Sequence, residues 1–189
     1  MLNSIDPYIK YHEEVLDTFF CKSVLIFFAK NPELKIQTKY GSGENTLSSK
    51  IILDKSRGLD VESSRIENLI SSTLLSFIHG TVLAEVYPIA NLELEPIQIR
   101  EMSGPTLKHS DNIDPIYFNQ KISYRVVTIL ANISDSSDVL VFPRQKVRVP
   151  ITGRSIITFP PYWMYEHYSE SVRAGRITIT SWARESISK

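Results

Sequence analysis

The sequence predicts an α+β protein, a double-stranded β-helix (jelly-roll) barrel braced by N-terminal helices. Three observations carry that expectation. Apolar residues recur at helical spacing before Pro88, then give way to short runs rich in isoleucine, valine, threonine and aromatics. Roughly seven or eight such runs follow, separated by Gly, Pro, Asp and Ser as in an antiparallel sandwich. The chain has 189 residues, the length of one domain, and could bury about 70% of the surface it exposes when unfolded. A single domain over 1–189 is expected, with helical support over about 1–90 and the jelly-roll core over about 91–184.

The first helix is expected after Asp17 and Thr18, both good N-cap types. It carries Phe19, Phe20, Val24, Leu25, Phe27 and Phe28 and stops at Asn31-Pro32. Residues 32–60 are polar and hold Gly41, Gly43 and Gly58, so they read as loop, with a possible strand at Ser49 to Leu53. A second helix should start near Val61 and bury a stripe from Ile66 through Leu69, Ile70, Leu74, Phe77, Ile78 and Val82 to Val86, until Pro88 ends it. The expected strands are Ile97–Met102, Tyr124–Ala131, Val139–Phe142, Val147–Val149, Ser155–Phe159, Tyr162–Tyr168 and Arg176–Trp182.

Composition removes several function classes. With 21 basic and 21 acidic side chains the formal net charge is zero, which gives no electrostatic footprint for nucleic acid or anionic membrane. Cys21 is the only cysteine, so neither an internal disulfide nor a cysteine zinc site is available. The opening MLNSIDPYIKYHEE lacks a basic region followed by an apolar stretch, and no window reaches 18 apolar residues. The expectation is a cytoplasmic protein in a reducing compartment, whose metal, if any, rests on histidine and carboxylate.

His109-Ser110-Asp111 is the informative triplet. Four histidines and eight aspartates would give an HxD by chance about 0.17 times, so alone it is weak. On an extended strand, however, i and i+2 point to one face, and imidazole and carboxylate can meet one ion. His167 follows the aromatic run 162–165 and would complete a two-histidine, one-carboxylate set suited to Fe(II). The competing assignment is that His109 caps a strand end and His167 makes a surface hydrogen bond. Beyond His167, a turn over Ser169 to Ala174 would set Arg176 on the neighbouring strand, sharing a face with Thr178, Thr180 and Trp182. A buried arginine requires an anionic partner, such as a dicarboxylate chelating the metal at its other end. Arg173 competes for that role, but falls in the expected turn.

The ordered set of HSD (109–111), Pro150-x-x-Gly153 with Phe159-Pro160, His167, Gly175-Arg176 and Trp182 resembles the 2-oxoglutarate/Fe(II)-dependent oxygenases, in their prolyl 4-hydroxylase-like branch. The resemblance covers about Pro96 to Trp182. It implies that His109, Asp111 and His167 hold Fe(II), that Arg176 pairs with the far carboxylate of 2-oxoglutarate, and that ascorbate serves as reductant. It also implies hydroxylation of an aliphatic C–H bond, with a peptidyl proline the favoured substrate, and release of succinate and CO2. Two departures touch the cosubstrate pocket. Asn132 stands where the family usually has tyrosine, and Ser136-Ser137-Asp138 replaces a common Gly-Gly-Glu. Thr180, on the face of Arg176, is the expected helper with Asn132, unless it is an ordinary strand threonine. The expected partner is a protein, peptide or small-molecule substrate, with neither nucleic acid nor membrane. The alternatives are an oxygenase acting on a small free molecule and a non-catalytic jelly-roll module binding metal or ligand.

Overall fold

The computed structural model describes residues 6–39, 47–82, 92–112, 116–118, 121–170 and 174–188. In chain order the elements are β1 (Lys10–His12), α1 (Thr18–Lys30), β2 (Ile36–Lys39), β3 (Leu47–Leu53), α2 (Val61–Phe77), β4 (Leu92–Leu94), β5 (Ile97–Ser103), β6 (Ile116–Phe118), β7 (Lys121–Asn132), β8 (Asp138–Phe142), β9 (Val147–Ile151), β10 (Ile156–Phe159), β11 (Tyr168–Glu170) and β12 (Ala174–Ser188).

Both helices begin where local chemistry requires. The Asp17 carboxylate accepts from Phe19 N at 2.7 Å and Phe20 N at 3.2 Å, satisfying amides that the first turn of α1 leaves unpaired. Asp60 does the same for Ser63 N at the start of α2. The apolar stripe of α2 continues to the buried Ile78, where a π turn over Ile78–Val82 begins; Val86 and Pro88 lie outside the described residues.

The strands form two antiparallel sheets. The large one runs β1-β10-β7-β12-β5-β3-β2, with β4 on β12 and β6 on β7; the small one runs β11-β8-β9. This is the jelly-roll sandwich expected, but among the described residues the sheets stay separate and no barrel closes. Strict alternation gives the large sheet two faces. Ile97, Ile99, Ile129, Ala131, Ile179 and Ala183 face α1 and α2 and join Phe20, Val24, Phe27, Ile70 and Leu74 in the main core. The other face looks toward the small sheet. There Ile9, Leu140, Phe142, Val149, Ile151, Ile157 and Phe159 form a second core.

Three expectations need correction. Residues 36–39 form a strand, not loop, and the possible strand at Ser49 to Leu53 is present as Leu47–Leu53, so the strands do not all follow the helices. Ile51 and Leu53 are buried against β5, and pairing with that strand overrides the polar composition around them. The expected strand Tyr162–Tyr168 is instead a single 3-10 turn at Trp163–Tyr165, followed by β11. Pro160 and Pro161 lack the N–H groups a ladder needs. Finally, β11 and β12 are not hairpin partners: β11 belongs to the small sheet and β12 to the large one. Arg176 therefore faces the site from the opposite sheet.

Candidate metal centre

His109 and His167, 58 positions apart in sequence, are direct partners in an antiparallel bridge. Each amide donates to the other's carbonyl, His109 N at 3.0 Å and His167 N at 2.8 Å. Such a doubly bonded pair puts both side chains on one face, and the two rings lie 4.4 Å apart. Three residues before His109 and two after His167, Thr106 and Ser169 cross-link the same segments again, with Ser169 N donating to Thr106 Oγ1 at 2.7 Å. The HxD segment is thereby laid along the edge of the small sheet.

Each imidazole is fixed through Nδ1, that of His109 against Leu107 O at 2.8 Å and that of His167 against Tyr165 O at 3.0 Å. A carbonyl accepts, so Nδ1 carries the proton and Nε2 keeps its lone pair for a cation. Burial pushes the His167 pKa down, and the neighbouring His109 adds to this, while Asp111 and the Tyr165 carbonyl oppose it. A neutral ring is what a metal requires. Asp111 completes the set, its Oδ1 3.8 Å from His109 Nε2. One candidate ligand atom from each of the three lies within 4.8 Å of the others, close enough to converge on one ion. Two imidazoles and one carboxylate are the donor set of non-haem Fe(II), so these residues fit that ion.

Sequence reasoning missed what holds Asp111. Thr128 Oγ1, on β7, donates to its Oδ2 at 2.9 Å, which leaves Oδ1 for the site. Arg125 Nη1 donates to its main-chain carbonyl at 2.7 Å. Arg125 is in turn clamped by both carboxylate oxygens of Glu95 and lies 3.9 Å over the Trp182 ring. Only the pairing of distant strands brings these groups together, Trp182 of β12 lying opposite Thr128 of β7.

Beside these ligands lies a cavity of about 510 Å³, counting its open mouth. Arg100, Met102, Thr128, Leu130, Leu140, Phe159, Ser169, Arg176, Thr178 and Thr180 contribute to its wall, as do the three candidate ligands. Arg176 and Thr180 are thus where the sequence placed them, facing inward from β12. Gly175, at φ +92°, sits in a register shift between Ala174 and Arg176. That left-handed residue forms a bulge that aims the arginine. Nε of the buried Arg176 has no hydrogen-bond partner, and Nη1 meets Asp138 Oδ2 at 2.5 Å. A buried donor left over in a cavity fits an incoming carboxylate. Asn132 departs from expectation. It shares the inward face of β7, but its amide donates to Ser155 Oγ at 2.8 Å and it is not part of the cavity wall. Arg173 lies outside the described residues. His12 is no ligand either; its ring packs edge-on against Phe77.

No family model and no curated protein matches the sequence. Solved structures do match the fold. The viral collagen prolyl hydroxylase of Paramecium Bursaria Chlorella virus-1, in its 2OG complex, aligns over 97% of this chain and 99% of its own, at 16% identity and TM-score 0.66. The fold is that of the 2-oxoglutarate oxygenases. A Trichoplax adhaerens prolyl hydroxylase in complex with a hypoxia inducible factor peptide fragment aligns over 93% and 82%, at 14% identity and TM-score 0.67. The non-heme alpha ketoglutarate dependent epimerase SnoN from nogalamycin biosynthesis aligns over 94% and 76%, at 14% identity and TM-score 0.63. These neighbours act on different molecules, so the scaffold leaves substrate open.

Proposed function

We propose that the protein is a 2-oxoglutarate- and Fe(II)-dependent dioxygenase that hydroxylates an aliphatic C–H bond and releases succinate and CO2. The observation that carries the reading is the convergence of His109, Asp111 and His167 at one end of a cavity, with the inward Arg176 in its wall. Fe(II), when bound, would supply the redox chemistry of oxygen activation and oxidative decarboxylation. The chain's own residues do the rest. His109, Asp111 and His167 hold the ion, with Thr128 and the two carbonyl acceptors fixing their orientation. Arg176, assisted by Thr180, receives the far carboxylate of the cosubstrate. Met102, Leu130, Leu140 and Phe159 give the cavity its apolar wall.

A peptide is the favoured substrate, and a peptidyl proline the finer form of that reading. Support comes from prolyl hydroxylases among the structural neighbours, one of them in complex with a peptide fragment, and from Trp163 and Met164, exposed in the turn that leads to His167. Among the described residues no helix is long and apolar enough to cross a membrane. The test is succinate formation from 2-oxoglutarate by the purified protein with Fe(II) and ascorbate, with and without proline-containing peptides. Peptide-stimulated succinate supports the reading; absence of both succinate and metal binding in anaerobically prepared protein ends it. A module that binds metal without turnover would show the second without the first.

A further inference from the structure

The guanidinium of Arg176 is already engaged at one end. Nη1 donates to Asp138 Oδ2 at 2.5 Å, and the two side chains are 5% and 1% exposed. Nη2 reaches Ser169 Oγ only at 3.4 Å, and Nε makes no hydrogen bond. Asp138 opens β8 in the small sheet, whereas Arg176 comes from β12 in the large one, so the pair joins the two sheets beside the cavity that Arg176 lines.

We propose that Asp138 is a built-in counter-ion, which holds the charge of Arg176 in the absence of cosubstrate and with which a 2-oxo dicarboxylate must share that guanidinium. The inference rests on the oxygenase reading of this site and deepens it. A guanidinium can meet planar carboxylates along two edges. Asp138 takes the Nη1 end, and the Nε–Nη2 edge remains for the ligand. Two carboxylates on one buried cation are like charges a few ångströms apart where water screens poorly, so each weakens the other's hold. Asp138 therefore stabilises the ligand-free protein, which would otherwise bury an unpaired cation. The same contact lowers affinity for the dianionic cosubstrate. Asp138 acts through Arg176 and is a positioning residue.

The test is calorimetric titration of the full-length protein, anaerobic and loaded with Fe(II), with two 2-oxo acids. 2-Oxoglutarate carries the far carboxylate; 2-oxopentanoate has the same chelating head and a neutral tail. Asp138→Asn keeps the shape and one acceptor but removes the charge. It should tighten 2-oxoglutarate by at least about fivefold, leave 2-oxopentanoate within about twofold, and melt below wild type when ligand-free. Any smaller gain, no change or a loss for 2-oxoglutarate overturns the proposal. Should the variant fail to fold, wild type decides: its preference for 2-oxoglutarate over 2-oxopentanoate should stay below about thirtyfold, and a larger preference shows an arginine wholly committed to the ligand. Wild type binding neither acid would instead bring down the oxygenase reading itself, and this inference with it.

Discussion

The two faces of the large sheet are made by the same strands and do different work. On β12, Ile179 and Ala183 are fully buried against the helices, while Arg176, Thr178 and Thr180 face the small sheet and line the cavity. On β7 the division is repeated, Ile129 and Ala131 on one side, Thr128 and Leu130 on the other. One face is closed by apolar packing; the other sets polar groups, among them Arg176 on Asp138 and Thr128 on Asp111, beside the second apolar core. The comparison teaches that rigidity and chemistry are separated by one residue along the chain. A substitution on either side should therefore have a different readout.

The largest effect falls on the cavity face. Asp111→Ala removes the carboxylate of the three-residue set and should abolish tight binding of Fe(II), measured by anaerobic calorimetry, while the melting temperature of the metal-free protein barely moves. Loss of folding in that variant would mean the two faces are not separable. Ile179→Ala breaks the opposite face. It should cost about 2–5 kcal/mol of stability, read by urea denaturation, with metal affinity kept in the folded fraction. Arg176→Ala comes next: affinity for 2-oxoglutarate should drop roughly 10–100-fold, the loss of a charge-assisted hydrogen-bonded pair, while Fe(II) still binds. Unchanged cosubstrate affinity would move the anchor elsewhere. Thr128→Val sharpens the comparison further. Only the hydroxyl that holds Asp111 Oδ2 is lost, and metal affinity should fall about tenfold, toward the lower end of what a group supporting a ligand contributes.

How far this was legible in the sequence follows the same division. Period-two alternation along β12 predicted that Arg176 and Thr180 point inward, and they do. The HxD spacing, with His167, named the group that converges. What sequence could not supply was pairing between distant segments. No local pattern says that β11 and β12 belong to different sheets, and so Arg176 was expected beside His167 and not across from it. Asn132 differs for a related reason: its strand position was right, but Ser155, just before β10, the strand paired with β7, accepts from its amide. Thr128 was passed over because a strand threonine has no signature until its acceptor is known. Gly153 is the reverse case. A Cβ there would collide with the Asp135 carboxylate and stand 3.1 Å from its amide, so the glycine of the sequence pattern answers to a packing constraint, not a chemical one.

The smallest effect tests whether the bracing helices matter to the site at all. Asp17 caps α1 through Phe19 N and Phe20 N, and nothing it touches reaches the cavity. Asp17→Ala should cost about 1 kcal/mol, which in a domain of this size lowers the melting temperature by roughly 2–4 °C. The loss stays that small because Phe20, Cys21 and Val24 remain buried and hold the first turn even when its amides lose their acceptor. Fe(II) affinity should be unchanged within error. If it falls, fraying at α1 is transmitted through Ile129 and Ile179 to the residues they alternate with, Thr128 and Thr180. The two faces would then be coupled through the strands themselves, and the helices would count as part of the site.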